Sequence, residues 1–184
     1  NRQIAELELW RDTLLSAGLD VMMHAGATGG TLYFPKSQFD MVRVGAGLYG
    51  FWPEGGEFLL EPVLTWKTII SELKEIPAGE GVGYDLTHSV DKVTRVAVCP
   101  IGYWHGYPRT LSDNAEVLVR GERAKVLGRI SMDMIVIDVT RISRLKVGDE
   151  IVLIGKSGKE KITANELAFL AGTSVPIKIS NTLS

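Results

Sequence analysis

Met41-Val42-Arg43-Val44-Gly45-Ala46-Gly47-Leu48-Tyr49 is a continuous apolar segment broken only by one arginine and two glycines. It reads as a strand buried on both faces that runs into a loop where backbone can approach a ligand closely. Upstream, Ile4, Leu7, Trp10, Leu14 and Leu15 recur at helical spacing over residues 2 to 17, and Gly18 is placed to end that helix in the left-handed region. The short apolar run Leu19-Asp20-Val21-Met22-Met23 reads as a first strand, and His24-Ala25-Gly26-Ala27-Thr28-Gly29-Gly30 as its loop. Helix, strand, loop, strand is the rhythm of an α/β unit with parallel strands.

Past Trp52-Pro53-Glu54-Gly55-Gly56 no helical pattern recurs for about a hundred residues. A domain border is therefore expected there, giving residues 1–52 and 53–184. Short strands are expected at Val63 to Ile70, Val93 to Pro100, Glu116 to Val119, Ala124 to Leu127, Met134 to Val139 and Glu150 to Ile154. Arg120-Gly121-Glu122-Arg123 is a hairpin signal between two of them. Strands of this length and spacing suggest a small barrel or sandwich. Thr163-Ala164-Asn165-Glu166 forms a capping box for one late helix, Ala164 to Ala171, closed by Gly172.

Composition limits the possible roles. The 184 residues hold 20 Lys+Arg against 22 Asp+Glu, a formal net charge of -2, so no general field draws the chain to nucleic acid or an anionic membrane. No apolar run approaches the roughly 18 residues of a membrane span. Cys99 is the single cysteine, which excludes an intrachain disulfide and fits a reducing, cytoplasmic setting. The chain begins at Asn1 and stops at Ser184 without a terminating pattern, so both ends are expected to continue.

Four clusters could carry chemistry. Arg43 in an apolar strand needs an acceptor, and Thr28 with the Gly45-Ala46-Gly47 backbone could cradle a phosphate; the glycines could equally be turn residues, with Arg43 paired to a structural carboxylate. Gly81-Val82-Gly83-Tyr84-Asp85 and Ile101-Gly102-Tyr103-Trp104-His105-Gly106-Tyr107-Pro108-Arg109 set aromatic rings among glycines, where a tyrosine hydroxyl can exchange protons or simply close a barrel mouth. Gly128-Arg129-Ile130-Ser131-Met132-Asp133-Met134 offers backbone N–H groups to a carboxylate, or forms a bulge. His24, His88 and His105 lack metal-ligand spacing, so no metal site is expected, His88 is read as solvated, and Cys99 as core.

Taken together, these clusters resemble the alanine racemase family, pyridoxal-phosphate enzymes of fold type III. Phe39-Asp40-Met41-Val42-Arg43-Val44-Gly45 is similar to the family's barrel strand, with Val44 in place of proline. Pro100-Ile101-Gly102-Tyr103 and Gly128-Arg129-Ile130-Ser131-Met132-Asp133 resemble its two strongest C-terminal signatures. The resemblance implies a mixed fold, in which the last two strands of a (β/α)8 barrel are followed by a mostly-β, barrel-like domain. It also implies pyridoxal 5'-phosphate as cofactor, a small amino acid as substrate, and a homodimer with shared active sites.

By the same resemblance, Arg43 faces the cofactor's ring nitrogen, His24 holds Arg43, and Thr28, Gly45 and Ala46 bind the phosphate. Tyr84 is the acid/base that crosses the dimer interface. Met132 offers its N–H to the substrate carboxylate, Tyr103 lines the site, and Arg109, Arg129 and Asp133 lie behind it or at its entrance, with Arg129 supporting the charge balance around Tyr84. The family's Schiff-base lysine matches none of Lys36, Lys67 or Lys74, so the chain alone is expected to be inactive. Two departures stand out: Ala27-Thr28 replaces Asn-Ser, and Trp104-His105 replaces a small residue and an acid. The alternatives are a racemase of serine or a broader set, and a non-catalytic small β-barrel binding module.

Overall fold

Gly18 stops the first helix as its position predicts. α1 spans Arg2–Ser16, and Gly18, at φ 77°, lets the Leu19 N–H turn back to the Leu14 carbonyl at 3.0 Å. The computed structural model describes residues 2–51 and 58–173, and the chain divides into two compact units between Val63 and Leu64. The expected border after residue 52 falls at residues outside those described. Among the described residues no helix is long and apolar enough to cross a membrane.

In the first unit the strand lies later than expected. Leu19–Met23 forms no strand, and Leu19 and Met22 are exposed; β1 is His24–Ala27 and leads directly into a short helix, α2, at Thr28–Tyr33. The reason is pairing. β2, Met41–Arg43, runs parallel to β1, with His24 opposite Met41 and Ala27 opposite Arg43, and this partner overrides the low strand propensity of Ala-Gly-Ala. The expected buried arginine is corrected too: Arg43 sits at the end of β2 and is exposed, so its guanidinium bears little desolvation.

Over its described residues the second unit is antiparallel. Its strands are β3 (Trp66–Ile69), β4 (Glu72–Ile76), β5 (Gly81–Val82), β6 (His88–Ser89), β7 (Thr94–Cys99), β8 (Glu116–Val119), β9 (Glu122–Leu127), β10 (Ile135–Asp138), β11 (Glu150–Ser157) and β12 (Glu160–Ile162). Pairing runs β11-β8-β9-β10-β7-β4, and β3 returns to β11. Only Ile70 and Ser71 separate β3 from β4, so one bent stretch closes the ring and leaves no edge between them. Ile70 at the corner is fully buried. Of the expected barrel or sandwich, the pairing forms the barrel.

Its interior is made of Ala97, Cys99, Val117, Val119, Val126, Ile135, Ile137, Ile151 and Leu153, each at most 1% exposed. Burial pushes the Cys99 thiol up to about 12, consistent with a core residue and not a nucleophile. A hairpin forms where Arg120-Gly121-Glu122-Arg123 signals one, but tighter than expected: Glu122 and Arg123 already pair in β9, leaving Arg120 and Gly121 as the two central residues, at φ 51° and 82°. α3, Ala164–Leu170, starts on Thr163, whose hydroxyl accepts the Glu166 N–H at 3.0 Å. A second, smaller apolar cluster lies under β5 and β6, where Val82 and Val90 pack with Val96 and Leu127. Burying Val82 there gives about 1.5–3 kcal/mol and seats the turn that carries Tyr84.

Candidate functional site

β5 and β6 pair Gly81 with Ser89 and Val82 with His88, so residues 83–87 must turn between them. Gly83 enters that turn at φ 83°, and a Cβ on it would lie 2.7 Å from Arg129 N. Gly128 faces it at φ 69°, where a Cβ would lie 2.4 Å from the Val82 carbonyl oxygen. Two glycines therefore let two loops touch backbone to backbone. Across this contact the Tyr84 N–H donates to the Arg129 carbonyl at 2.9 Å, the Arg129 N–H donates to Thr87 Oγ1 at 2.9 Å, and Arg129 Nη1 donates to Asp85 Oδ2 at 2.5 Å.

A third loop joins the same place. The Tyr103 and Trp104 N–H groups donate to the Ser131 and Met132 carbonyls at 3.1 and 2.9 Å, over Gly102, where any Cβ would collide with that backbone. Arg109 Nε donates to the Ile130 carbonyl at 3.3 Å. Its guanidinium carbon then lies 4.6 Å from the centre of the Tyr103 ring and 5.4 Å from that of Tyr84. One cation thus holds both tyrosine faces, and both tyrosines remain exposed. The guanidinium over Tyr84 belongs to Arg109, while that of Arg129 is taken by Asp85.

The backbone donors of the 128–134 loop are mostly engaged. Gly128, Arg129 and Ile130 give their N–H groups to Asp113, Thr87 and Ser112 side chains, and Ser131 to the Met134 carbonyl. Met132, half exposed, follows them in the loop, and Asp133 is exposed beside it. His88, read as solvated, is instead partly buried, with Nδ1 2.7 Å from Asp113 Oδ1, the same oxygen that accepts Gly128 N–H. That link joins residues 25 positions apart in the chain, and no sequence spacing announced it. His105 accepts the Gly102 N–H at Nδ1, 3.2 Å away, which fixes its ring against its own loop, while Trp104 is exposed.

The first unit brings together the other expected residues. Arg43 Nη1 donates to His24 Nδ1, which requires the histidine proton on Nε2. Thr28 is buried, and its Oγ1 accepts the Gly45 and Gly47 N–H groups at 3.4 and 3.3 Å, both long contacts. Gly47 must be small, because a Cβ would stand 2.7 Å from Thr28 Cγ2. Gly45 has open space around its Cβ position, and Ala46 begins a short 3-10 turn to Tyr49. A guanidinium, a hydroxyl and loop N–H groups with no carboxylate bound to Arg43 among the described residues make a donor set suited to an anion.

An α/β unit with parallel strands, followed by an antiparallel barrel, each with donors in glycine-bearing loops, defines a two-part protein with an α/β first part and a β domain. Models of the alanine racemase N-terminal and C-terminal domains match residues 1–53 and 63–181. The chain belongs to the alanine racemase family. It is 44% identical over 166 residues to the alanine racemase of Halothermothrix orenii, covering 88% of this chain and 44% of that protein. Among solved structures it is similar to alanine racemase of Clostridium difficile 630 in complex with cycloserine, with TM-score 0.88, 31% identity, and coverage of 100% of this chain and 49% of that one. It also resembles alanine racemase of Bartonella henselae with covalently bound pyridoxal phosphate, with TM-score 0.82, 28% identity, and coverage of 100% and 49%. The chain spans about half the length of the relatives it matches.

Proposed function

We propose that this chain is part of a pyridoxal-phosphate-dependent alanine racemase that interconverts L- and D-alanine. The observation that carries the reading is the convergence of Tyr84 and Tyr103 on Arg109, in a chain matched by both alanine racemase domain models. Bound pyridoxal phosphate supplies an electron sink that acidifies the substrate Cα–H. Racemisation then needs that proton removed on one face and returned on the other, so an acid/base group must stand on each side. Tyr84 is assigned to one side, holding or releasing the proton at its hydroxyl oxygen. The opposite group is a lysine outside the matched motifs of this chain.

The remaining residues bind and orient. Arg43 donates to the cofactor's ring nitrogen without giving up its proton, because a guanidinium stays protonated. His24 accepts from Arg43 and fixes its angle; the Thr28 hydroxyl and the Gly45 and Ala46 N–H groups are assigned to the phosphate, which would replace the long contact from Gly45 N–H to Thr28 Oγ1. Met132 N–H takes the substrate carboxylate, Tyr103 lines the site, and Arg109, Arg129 and Asp133 surround it. The exposed tyrosines fit a homodimer in which Tyr84 completes the partner's site. Cytoplasmic supply of D-alanine for peptidoglycan is the corresponding role. Exposed Trp104 favours one second reading, a racemase for serine or a broader set.

The test incubates the full-length protein with pyridoxal phosphate and L-alanine or L-serine, and follows the D-enantiomer. Cofactor-dependent formation of D-alanine faster than D-serine is expected. Faster serine turnover selects the second reading, and no interconversion of either overturns both.

A further inference from the structure

Tyr84 stands in a turn in which Gly83, Asp85 and Leu86 have positive φ, at 83°, 60° and 51°. Only the glycine adopts this conformation freely. Asp tolerates it, and Leu has no side-chain reason to enter it, so the turn persists only because its surroundings hold it. Arg129 is what holds it. Its carbonyl takes the Tyr84 N–H, its N–H reaches Thr87 Oγ1, and its guanidinium pairs with Asp85, so one residue grips the turn before and after the leucine. Arg129 is itself fixed through Gly128, whose N–H is bound by Asp113.

As a stability device this arrangement makes little sense. The ion-paired side chains are 44% and 56% exposed, and exposed pairs contribute little to folding, while the turn they close is strained. What the clasp does fix is direction. With the turn locked, the Tyr84 ring stays against Arg109 and its hydroxyl is presented along one line.

We infer that Asp85 and Arg129 form a clasp that positions Tyr84 for proton transfer. The inference rests on the acid/base reading of Tyr84 and adds to it Asp85 and a positioning role for Arg129, both acting through the Tyr84 turn. Asp85→Gly separates positioning from folding, since glycine relieves the left-handed strain while abolishing the ion pair.

In the full-length, cofactor-loaded protein, Asp85→Gly is expected to melt at or above the parent's temperature. Its kcat should fall about tenfold with KM for alanine changed less than twofold. The isotope effect of α-deuterated alanine should rise in the direction where Tyr84 takes the proton and not in the other. Asp85→Asn, which keeps the left-handed tolerance and one hydrogen bond, should recover part of the rate. Parent-like kcat in Asp85→Gly overturns the clasp, as does a loss of kcat matched by an equal loss of thermal stability. A parent that racemises nothing overturns the acid/base reading and the clasp with it, so the two failures are told apart by the parent alone.

Discussion

The turn bearing Tyr84 is tied to Arg129 by one backbone hydrogen bond, one from the Arg129 N–H to Thr87 Oγ1 and an ion pair, and is seated on Val82 and Val90 above a closed barrel. Among the described residues, Arg43 in the first unit is held by His24 alone, and Thr28 by two long contacts. Met23 and Phe51 are the only apolar side chains buried among the described residues of that unit. The contrast is between a site set by many mutually supporting contacts and one set by a few polar ones. Substitutions of the same kind should therefore have unequal consequences in the two units.

The sharpest contrast is between glycines. Gly128→Ala must adopt φ 69° and place a Cβ 2.4 Å from the Val82 carbonyl oxygen, so it should cost about 2–5 kcal/mol in denaturant unfolding. A cost below about 1 kcal/mol would mean that the two loops do not touch as described. A smaller effect follows from Cys99. Its thiol is held protonated in the fold from its ordinary value near 9 up to about 12, whereas the unfolded chain loses the proton earlier. The unfolded state then binds fewer protons, so stability falls as pH rises through that window, by on the order of 2 kcal/mol near pH 10.5. Cys99→Ala should flatten this part of the stability–pH curve, and an unchanged slope would show that the thiol is not buried. Gly45→Ala should be the mildest, within about 0.5 kcal/mol, since its φ is -117° and its Cβ position is open. A large loss there would erase the contrast between the units.

What the sequence made legible follows the same division. β8 lies where alternating and continuous apolar runs put it, because barrel strands carry their burial in their own residues. β4 has no sequence signal because Glu72, Lys74 and Glu75 break the apolar pattern, and β5 and β6 are too short for one, at two residues each. β1 lies downstream of the apolar run Leu19–Met23 that the sequence favours, because the strand character of Ala-Gly-Ala comes from pairing with β2. Candidate site residues are legible where glycines and aromatics cluster. Asp85–Arg129 and His88–Asp113 were not, since each joins residues far apart in the chain, and the left-handed Leu86 has no sequence signal at all.

If Tyr84 moves the substrate's Cα proton as proposed, Tyr84→Phe in the full-length protein should remove that transfer. The substitution keeps the ring that Arg109 contacts and removes only the hydroxyl. Racemisation of alanine should fall by about 10²- to 10⁴-fold while pyridoxal-phosphate binding stays within twofold of the parent. Parent-like racemisation, or a parallel loss of cofactor binding, would contradict it.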